Sequence, residues 1–287
     1  MISVVIPVYN QVRQLEWNLN CFKKQKIEDK YEIIIIDDGS DVRYDKVISK
    51  FQDMDFKITF IRNSQNKGRS YTRNRGIEKC SGDIIVFCDA DRYPGPDFLY
   101  NHYKNIESVQ KDKVVSIGAI FEDLSLEPYG NIKDKVIRNA TYYKIINHLF
   151  DDEGKTDSGI PWIATLSGNM AIKGLKNDVF FDENLTEWGF EHFEFGYRLY
   201  LMDYTFTLCR SAANYHIAHK RINNFYMENM RKSIEKLKYK HPGLEMEMFE
   251  KFIFSEISLQ EFEKVIGKEA TWYRNDTKPV YNKIISF

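Results

Sequence analysis

Two carboxylates one residue apart, Asp89 and Asp91, directly follow the apolar run Ile84-Ile85-Val86-Phe87-Cys88. The end of such a run is an unusual place for charge. Residues i and i+2 of an extended segment point the same way, and a turn beginning there can aim both carboxylates at one point. Hard divalent cations bound to phosphate take oxygen ligands of this kind. Two further polar clusters occupy matching places, Pro7-Val8-Tyr9-Asn10 after a first apolar run and Asp37-Asp38-Gly39-Ser40 after a second. Tyr9 offers a flat face to a nucleobase, or packs the rim of a sheet. Asp38 can accept hydrogen bonds from a base N–H or a ribose hydroxyl, with Gly39 and Ser40 letting the backbone turn close to a ligand; the alternative is an ordinary Asp-Gly turn.

The elements that must position these residues follow from periodicity. Ser3–Val8, Glu32–Ile36, Lys57–Ile61 and Asp83–Cys88 read as continuous apolar strands, the first stopped by Pro7 and Asn10. Gln14–Lys24, Asp45–Phe51 and Ser70–Cys80 read as the helices between them, the first with Leu15, Leu19 and Phe22 on one face. Strand–helix alternation of this kind predicts an α/β fold, a mostly parallel sheet flanked by helices on both faces. Ligands in such sheets bind beyond the carboxyl ends of the strands, where the three polar clusters fall. Further on the pattern predicts a helix over Phe98–Glu107, a strand over Val114–Phe121, a helix over Lys133–Phe150 and a polar loop over Asp151–Gly159. Extended structure is expected over Ala164–Ile172, interrupted at Ser167-Gly168-Asn169, then a helix over Phe193–Asp203 and short strands over Thr205–Leu208 and Tyr215–His219.

From Arg221 the strand signals stop. Ile222, Tyr226, Met230, Ile234 and Leu237 form one helical stripe, and Lys220–Lys240 holds seven Lys or Arg against two Glu. The chain therefore divides into residues 1–220, an α/β unit whose first 110 residues carry the strand-end clusters and whose residues 111–220 form a second half, and a mainly helical C-terminal extension, 221–287. Its basic stripe either packs on the α/β unit with a solvated charged face or lies on a membrane surface.

The bulk properties narrow the class. In 287 residues, 43% are hydrophobic and 29% charged, and the net charge of −1 gives no footprint for nucleic acid. Aromatic residues reach 15%, which suits a filled core or a sugar-stacking groove. Cys21, Cys80, Cys88 and Cys209 show no CxxC or zinc-type spacing, so a reducing compartment is expected. The N-terminus lacks the basic leader of a signal peptide, and no run approaches the roughly 20 apolar residues that span a bilayer. The expectation is a cytoplasmic protein, with peripheral contact at the inner face of a membrane as the alternative use of the basic helix.

Taken in chain order, the motifs are Pro7-Val8-Tyr9-Asn10, Asp37-Asp38-Gly39-Ser40, Asn66-Lys67-Gly68 with Arg73-Asn74-Arg75-Gly76, Asp89-Ala90-Asp91, Ser167-Gly168-Asn169 and Trp188-Gly189-Phe190-Glu191-His192-Phe193-Glu194. In this order the chain resembles inverting family 2 glycosyltransferases of the GT-A fold. Glu194-Phe195-Gly196-Tyr197-Arg198-Leu199 is similar to the chondroitin-polymerase and β-1,4-galactosyltransferase-like branch. The resemblance covers about residues 1–220.

That resemblance implies a UDP-sugar donor, an acceptor hydroxyl and inversion at the anomeric carbon, although retaining enzymes share much of the fold. It places Pro7, Tyr9, Asp38, Arg73, Asp89 and Ala90 at the nucleotide sugar, with Asp38 on uracil, Asp37 structural and Arg73 facing the diphosphate. Lys67, Arg69 and Arg75 are the alternatives to it, most of the four being expected as solvated surface charges, and Arg73 alone matches the motif position. It makes Asp91 a metal ligand, with Asp89 towards the ribose or the metal's water shell, and puts His216 in the place of a metal histidine, with His219 as its competitor. An imidazole ligand favours Mn²⁺ over Mg²⁺. Ser167-Gly168-Asn169 would form the wall between donor and acceptor, and Trp188 would stack on a sugar. Trp162 either flanks the acceptor or lies in the core.

One departure is informative. Relatives carry Asp after the first Glu of the tryptophan motif, where it takes the proton from the acceptor hydroxyl; this chain has His192. Three readings are open: His192 is the base, Glu191 takes over, or the chain is a weakened or non-catalytic UDP-sugar-binding protein. A sugar nucleotidyltransferase is the enzymatic rival, but it would carry a Gly-rich basic phosphate loop where Pro7–Asn10 stands. The donor sugar, the acceptor and the oligomeric state are left open by the sequence.

Overall fold

Four runs rich in Val and Ile become the parallel half of one mixed sheet. The computed structural model describes residues 1–125, 129, 135–175, 179–186, 189–218 and 225–272. Strands β1 (Ile2–Val8), β2 (Tyr31–Asp37), β3 (Lys57–Arg62) and β4 (Ile84–Phe87) pair in parallel in the order β3-β2-β1-β4. Helices α1 (Val12–Phe22), α2 (Asp45–Ile48) and α3 (Arg69–Ile77) connect them. Next come β5 (Arg92–Pro94), α4 (Phe98–Val109), β6 (Val114–Asp123), β7 (Ile137–Asn139), α5 (Thr141–His148), β8 (Met170–Lys173), α6 (Glu191–Leu201) and β9 (Thr205–Ile217). They extend the sheet to β3-β2-β1-β4-β8-β6-β9-β5, with β7 on β6. In this second half β8 is antiparallel to β4 and β6, while β9 runs parallel to β6.

Alternation along the strands splits the interior into two layers. Val4, Ile6, Ile33, Ile35 and Val86 face Leu15, Leu19 and Phe22 of α1 and Phe98, Leu99 and Ile106 of α4. Val5, Ile34, Ile36, Ile85 and Phe87 face the opposite layer, which also takes in Phe195 of α6 and the C-terminal helices α7 (Phe225–Lys240), α8 (Leu244–Ile253) and α9 (Leu259–Ile266). In α3, Gly76 lets the helix come close to β1 and β2, because a Cβ there would stand 2.4 Å from Val5 Cγ1.

Several expected boundaries move, each for a local reason. Pro7 does not stop β1. The Val5 carbonyl accepts from the Cys88 amide, so by alternation residue 7 also faces β4. β4 has ended at Phe87, so the missing N–H of proline costs no ladder bond there. The helix expected over Lys133–Phe150 is shorter: β-branched Ile137 joins strand β7 against β6, and extended backbone at Ala140 delays α5. Pro161–Ala164 is a 3₁₀ turn, and the strand expected from Ala164 begins only at Met170. The two short strands expected after Thr205 are one strand, β9. Its register slips between Gly118/Cys209 and Ala119/Ala213, and that bulge hides the alternation.

Trp162 belongs to the core. It is fully buried, and its ring centroid lies 4.9 Å from Phe249 of α8 and 5.1 Å from Tyr197 of α6. Met230, Ile234 and Leu237 of the basic helical stripe are buried in the same layer. Ile222 and His219 lie outside the described residues. Among the described residues no helix is long and apolar enough to cross a membrane.

Candidate functional site

The carboxyl ends of β1, β2 and β4 open onto a cavity of about 750 Å³. Its first wall carries Pro7, Tyr9 and Gln11 after β1, Asp38 after β2, and Asp89, Asp91 and Arg92 after β4. The start of α3 contributes Arg69 and Arg73, the segment before β8 contributes Ser167 and Gly168, and the start of α6 contributes Gly189, Phe190, Glu191 and His192. His216 from the end of β9, Glu122 from β6, and Asn229 and Met230 from α7 also line it.

Tyr9 is 44% exposed and presents its ring at the mouth of this cavity, not in the core. Asp37 and Asp38 divide the labour. Asp37 is fully buried, 3.1 Å from Arg62 Nη1, and accepts from the Ser40 amide. Asp38 accepts from Asn63 Nδ2 and from the amides of Lys67 and Gly68 at 2.8–2.9 Å. It therefore organises the loop before α3 as well as facing the cavity. Arg75 is engaged away from the cavity by Asn63 Oδ1.

Arg73 reaches the cavity wall from within an ion-pair network. Its side chain is 2% exposed and lies between two carboxylates, Nη2 donating to Asp89 at 2.8 Å and Nη1 to Glu191 at 3.1 Å. Burial opposes its charge, but the two carboxylates overcome that and hold its pKa above the ordinary value. Its charge is paired with these two carboxylates, and the residue lies on the cavity lining. Glu191 in turn stands 3.8 Å from His192 Nδ1. Burial would raise the pKa of Glu191, yet His192, Arg73 and Arg69 together hold it well below the carboxylate range. Asp89, Arg73, Glu191 and His192 thus form one chain of charge from the acidic pair to the start of α6. That start is shaped by two consecutive left-handed residues, Gly189 at φ 86° and Phe190 at φ 72°. Phe190 is held there by packing on Phe193 and Phe249.

Asp91 lies on the other side of the pair. Its Oδ2 is 3.6 Å from His216 Nε2 and accepts from Gln11 Nε2 at 3.3 Å. The register of β5, β9 and β6 sets Arg92, His216 and Glu122 side by side. One carboxylate oxygen and one imidazole nitrogen this close form a donor set that suits Mn²⁺. Among the described residues no third His, Cys, Asp or Glu completes a cluster, which leaves the remaining coordination positions to phosphate oxygens and water. The residues therefore fit a divalent cation shared with a ligand.

Other expectations shift. Ala90 was expected at the nucleotide sugar; its methyl group is 1% exposed and packs in the core layer with α1, inside a turn closed by the Arg92 amide donating to the Asp89 carbonyl at 3.0 Å. In the Ser167-Gly168-Asn169 wall, Ser167 and Gly168 reach the cavity. Asn169 is buried, donating to the carbonyls of Ala119 and Ala212 and meeting His102 at 2.9 Å. Burial depresses His102 to about 4, so it serves as a neutral linker. Gly168 is needed for space: a Cβ would stand 2.2 Å from Arg92 Nε. Glu194 is fully buried, and Arg198, Lys240 and His241 lie 2.8–2.9 Å from it. Trp188 lies outside the described residues.

Sequence reasoning missed Gln11, Arg92, Asn214 and the contribution of α7. A usable signal existed for Arg92, a cation directly after the acidic pair, and for Asn214, two residues before His216 on the same strand face. None existed for Asn229, because the helical stripe of α7 reads only as packing.

Residues 3–163 match the family described as Glycosyl transferase family 2. The chain is 27% identical over 257 residues to YfnE of Bacillus subtilis, a glycosyltransferase described as uncharacterized, covering 76% of this chain and 64% of YfnE. It is 28% identical over 241 residues to the chondroitin synthase of Escherichia coli, covering 75% of this chain but 34% of that protein. Among solved structures, S. aureus TarS 1–349 in complex with UDP-GlcNAc superposes with a TM-score of 0.60 at 19% identity, covering 83% of this chain and 66% of that one. The mannosyltransferase PcManGT from Pyrobaculum calidifontis, in complex with GDP-Man and Mn²⁺, gives 0.61 at 16% identity, covering 85% and 65%.

Proposed function

Since the chain belongs to glycosyl transferase family 2 and has the GT-A fold, we propose that it moves a hexose or N-acetylhexosamine from a UDP-sugar to an acceptor hydroxyl, with inversion. The observation that carries this reading is the charge chain Asp89–Arg73–Glu191–His192, which ties a diphosphate-type acidic pair to an imidazole on the same cavity wall. TarS, solved with UDP-GlcNAc, supports a UDP-sugar donor, and PcManGT, solved with GDP-Man and Mn²⁺, supports a divalent cation. The chondroitin synthase relative supports a growing glycan as acceptor.

In this reading Tyr9 takes the base and Asp38 the uracil or ribose edge. Asp91 and His216 would hold Mn²⁺ or Mg²⁺, which would supply positive charge to neutralise the diphosphate. His192 takes the proton from the acceptor hydroxyl. The acceptor oxygen forms its bond to the anomeric carbon as the bond from that carbon to the β-phosphate oxygen breaks, and UDP leaves from the opposite face. Glu191 is too strongly held as a carboxylate to be an efficient base near neutral pH. It orients His192 and stabilises the imidazolium that forms, while Arg73 fixes Glu191.

A UDP-release screen over donor sugars with Mn²⁺, using simple glycosides and oligosaccharides as acceptors, tests the proposal. Turnover should yield free UDP; pyrophosphate would instead assign a nucleotidyltransferase. His192→Ala should lower kcat by about 10²- to 10⁴-fold while UDP still binds in calorimetry, and Asp91→Ala should remove the Mn²⁺ dependence of that binding. UDP–Mn²⁺ binding by the native chain without turnover on any acceptor would make it a binding protein.

A further inference from the structure

We propose that Arg92, the residue directly after the acidic pair, is the cation that grips the diphosphate of the donor; this rests on the nucleotide-sugar reading above. Arg73 is committed to Asp89 and Glu191. Arg92 is not. Its side chain is 16% exposed on the cavity wall, and its Nε is buried without a hydrogen-bond acceptor, 3.9 Å from Asp89 Oδ2. Its Nη1 makes one long contact, 3.5 Å to Asn214 Oδ1, and Nη2 makes no hydrogen bond to any described residue. A guanidinium carries five N–H donors; here the Nε–H is buried without an acceptor, which is costly, and the outer nitrogens face the cavity with one long hydrogen bond between them. An anion in the cavity would satisfy them.

The position is also built to hold this side chain. Asn18 Nδ2 donates to the Arg92 carbonyl at 2.5 Å and fixes the backbone. Asn214 is fully buried; its Nδ2 donates to the Gly168 carbonyl, so its Oδ1 is turned to Arg92. Gly168 leaves open the space that Arg92 Nε occupies. The antiparallel register puts Arg92 opposite His216, next to the pair that suits a divalent cation. A planar fork held beside such a cation matches two phosphate oxygens. Arg69 also lines the cavity, but it is exposed and would have to be ordered by the ligand.

Calorimetric titration of UDP and UMP, with Mn²⁺ present, into the native chain and into Arg92→Gln, Arg92→Lys and Arg69→Gln tests this. The expected result is that Arg92→Gln weakens UDP by about 10- to 100-fold and UMP much less, collapsing the preference for the diphosphate. Arg92→Lys keeps the charge without the fork and should fall between, and Arg69→Gln should keep the preference. An unchanged UDP-to-UMP ratio in Arg92→Gln overturns the proposal and leaves the function standing, as does a loss that follows Arg69. If Arg92→Gln does not fold, an unchanged ratio in Arg92→Lys overturns it. A native chain that binds neither nucleotide overturns the proposal together with the function beneath it.

Discussion

At the residue scale, Arg73 and Arg92 show how little residue type says about role. Both are arginines beside Asp89 on the same cavity lining, yet one is buried between two carboxylates and the other is partly exposed with one long ion pair. Their losses should differ in kind. Arg73→Met strips the buried Glu191 and the partly exposed Asp89 of their common partner, and removing one side of a buried ion pair costs about 3–5 kcal/mol. Urea unfolding should report that loss for Arg73→Met and little change for Arg92→Gln. Equal, small effects would mean that Arg73 is not structural. The cluster positions were legible in the sequence, since Asp38, Asp89, Asp91, His192 and His216 all reach one cavity. Partner choice was not. Arg73 meets Glu191 from 118 residues away, and no local pattern encodes such a pairing. The burial of the Ala90 side chain was not legible either, because the turn over Asp89–Arg92 that sets its direction leaves no period in the sequence.

At the element scale, the basic stripe of α7 is explained by what its charges touch. Lys240 and His241 close on Glu194 of α6, Lys238 on Glu250 of α8, and Lys236 donates to the Asn184 carbonyl. These contacts favour packing over a membrane role. Burial would raise the pKa of Glu194, but His241, Arg198 and Lys240 lower it to about 2 from an ordinary 4.5. A depressed carboxylate stabilises the fold above its unfolded value and loses that contribution as pH falls through its folded value, because the unfolded chain binds the proton first. The window is therefore about pH 4.5 down to 2. Denaturant unfolding across that range should show the native chain losing on the order of 3 kcal/mol more than Glu194→Gln. Parallel pH curves for the two would remove the clamp. The strands of the parallel half were readable because buried strands are continuous apolar runs. β9 was not, because its bulge breaks the alternation, and β7 was not, because three residues at a sheet edge carry too short a pattern.

At the scale of the whole molecule, the C-terminal helices share the core of the α/β unit. Phe249 of α8 is fully buried against Trp162, Phe190 and Phe193, and so supports the left-handed turn that starts α6. Phe249→Ala should cost about 3–5 kcal/mol and lower transfer activity as well, since Glu191 and His192 follow that turn. Far- and near-ultraviolet circular dichroism should trace one coincident transition for the native chain. Two separated transitions would make the helices an independent unit. The change of composition at Arg221 is a change of secondary-structure pattern, and such a change does not by itself mark a change of core.

The span between Arg73 and Glu191 also bears on how the chain is made. Synthesis delivers the parallel strands first, and Asp89 follows Arg73 by 16 residues. The second carboxylate arrives far later, and contacts across long separations carry a loop-closure cost before they are rewarded. A nascent chain that has paired β1 to β4 still holds a guanidinium with half its counter-charge. The same contact that anchors the proposed base therefore makes completion of the site a late event in folding.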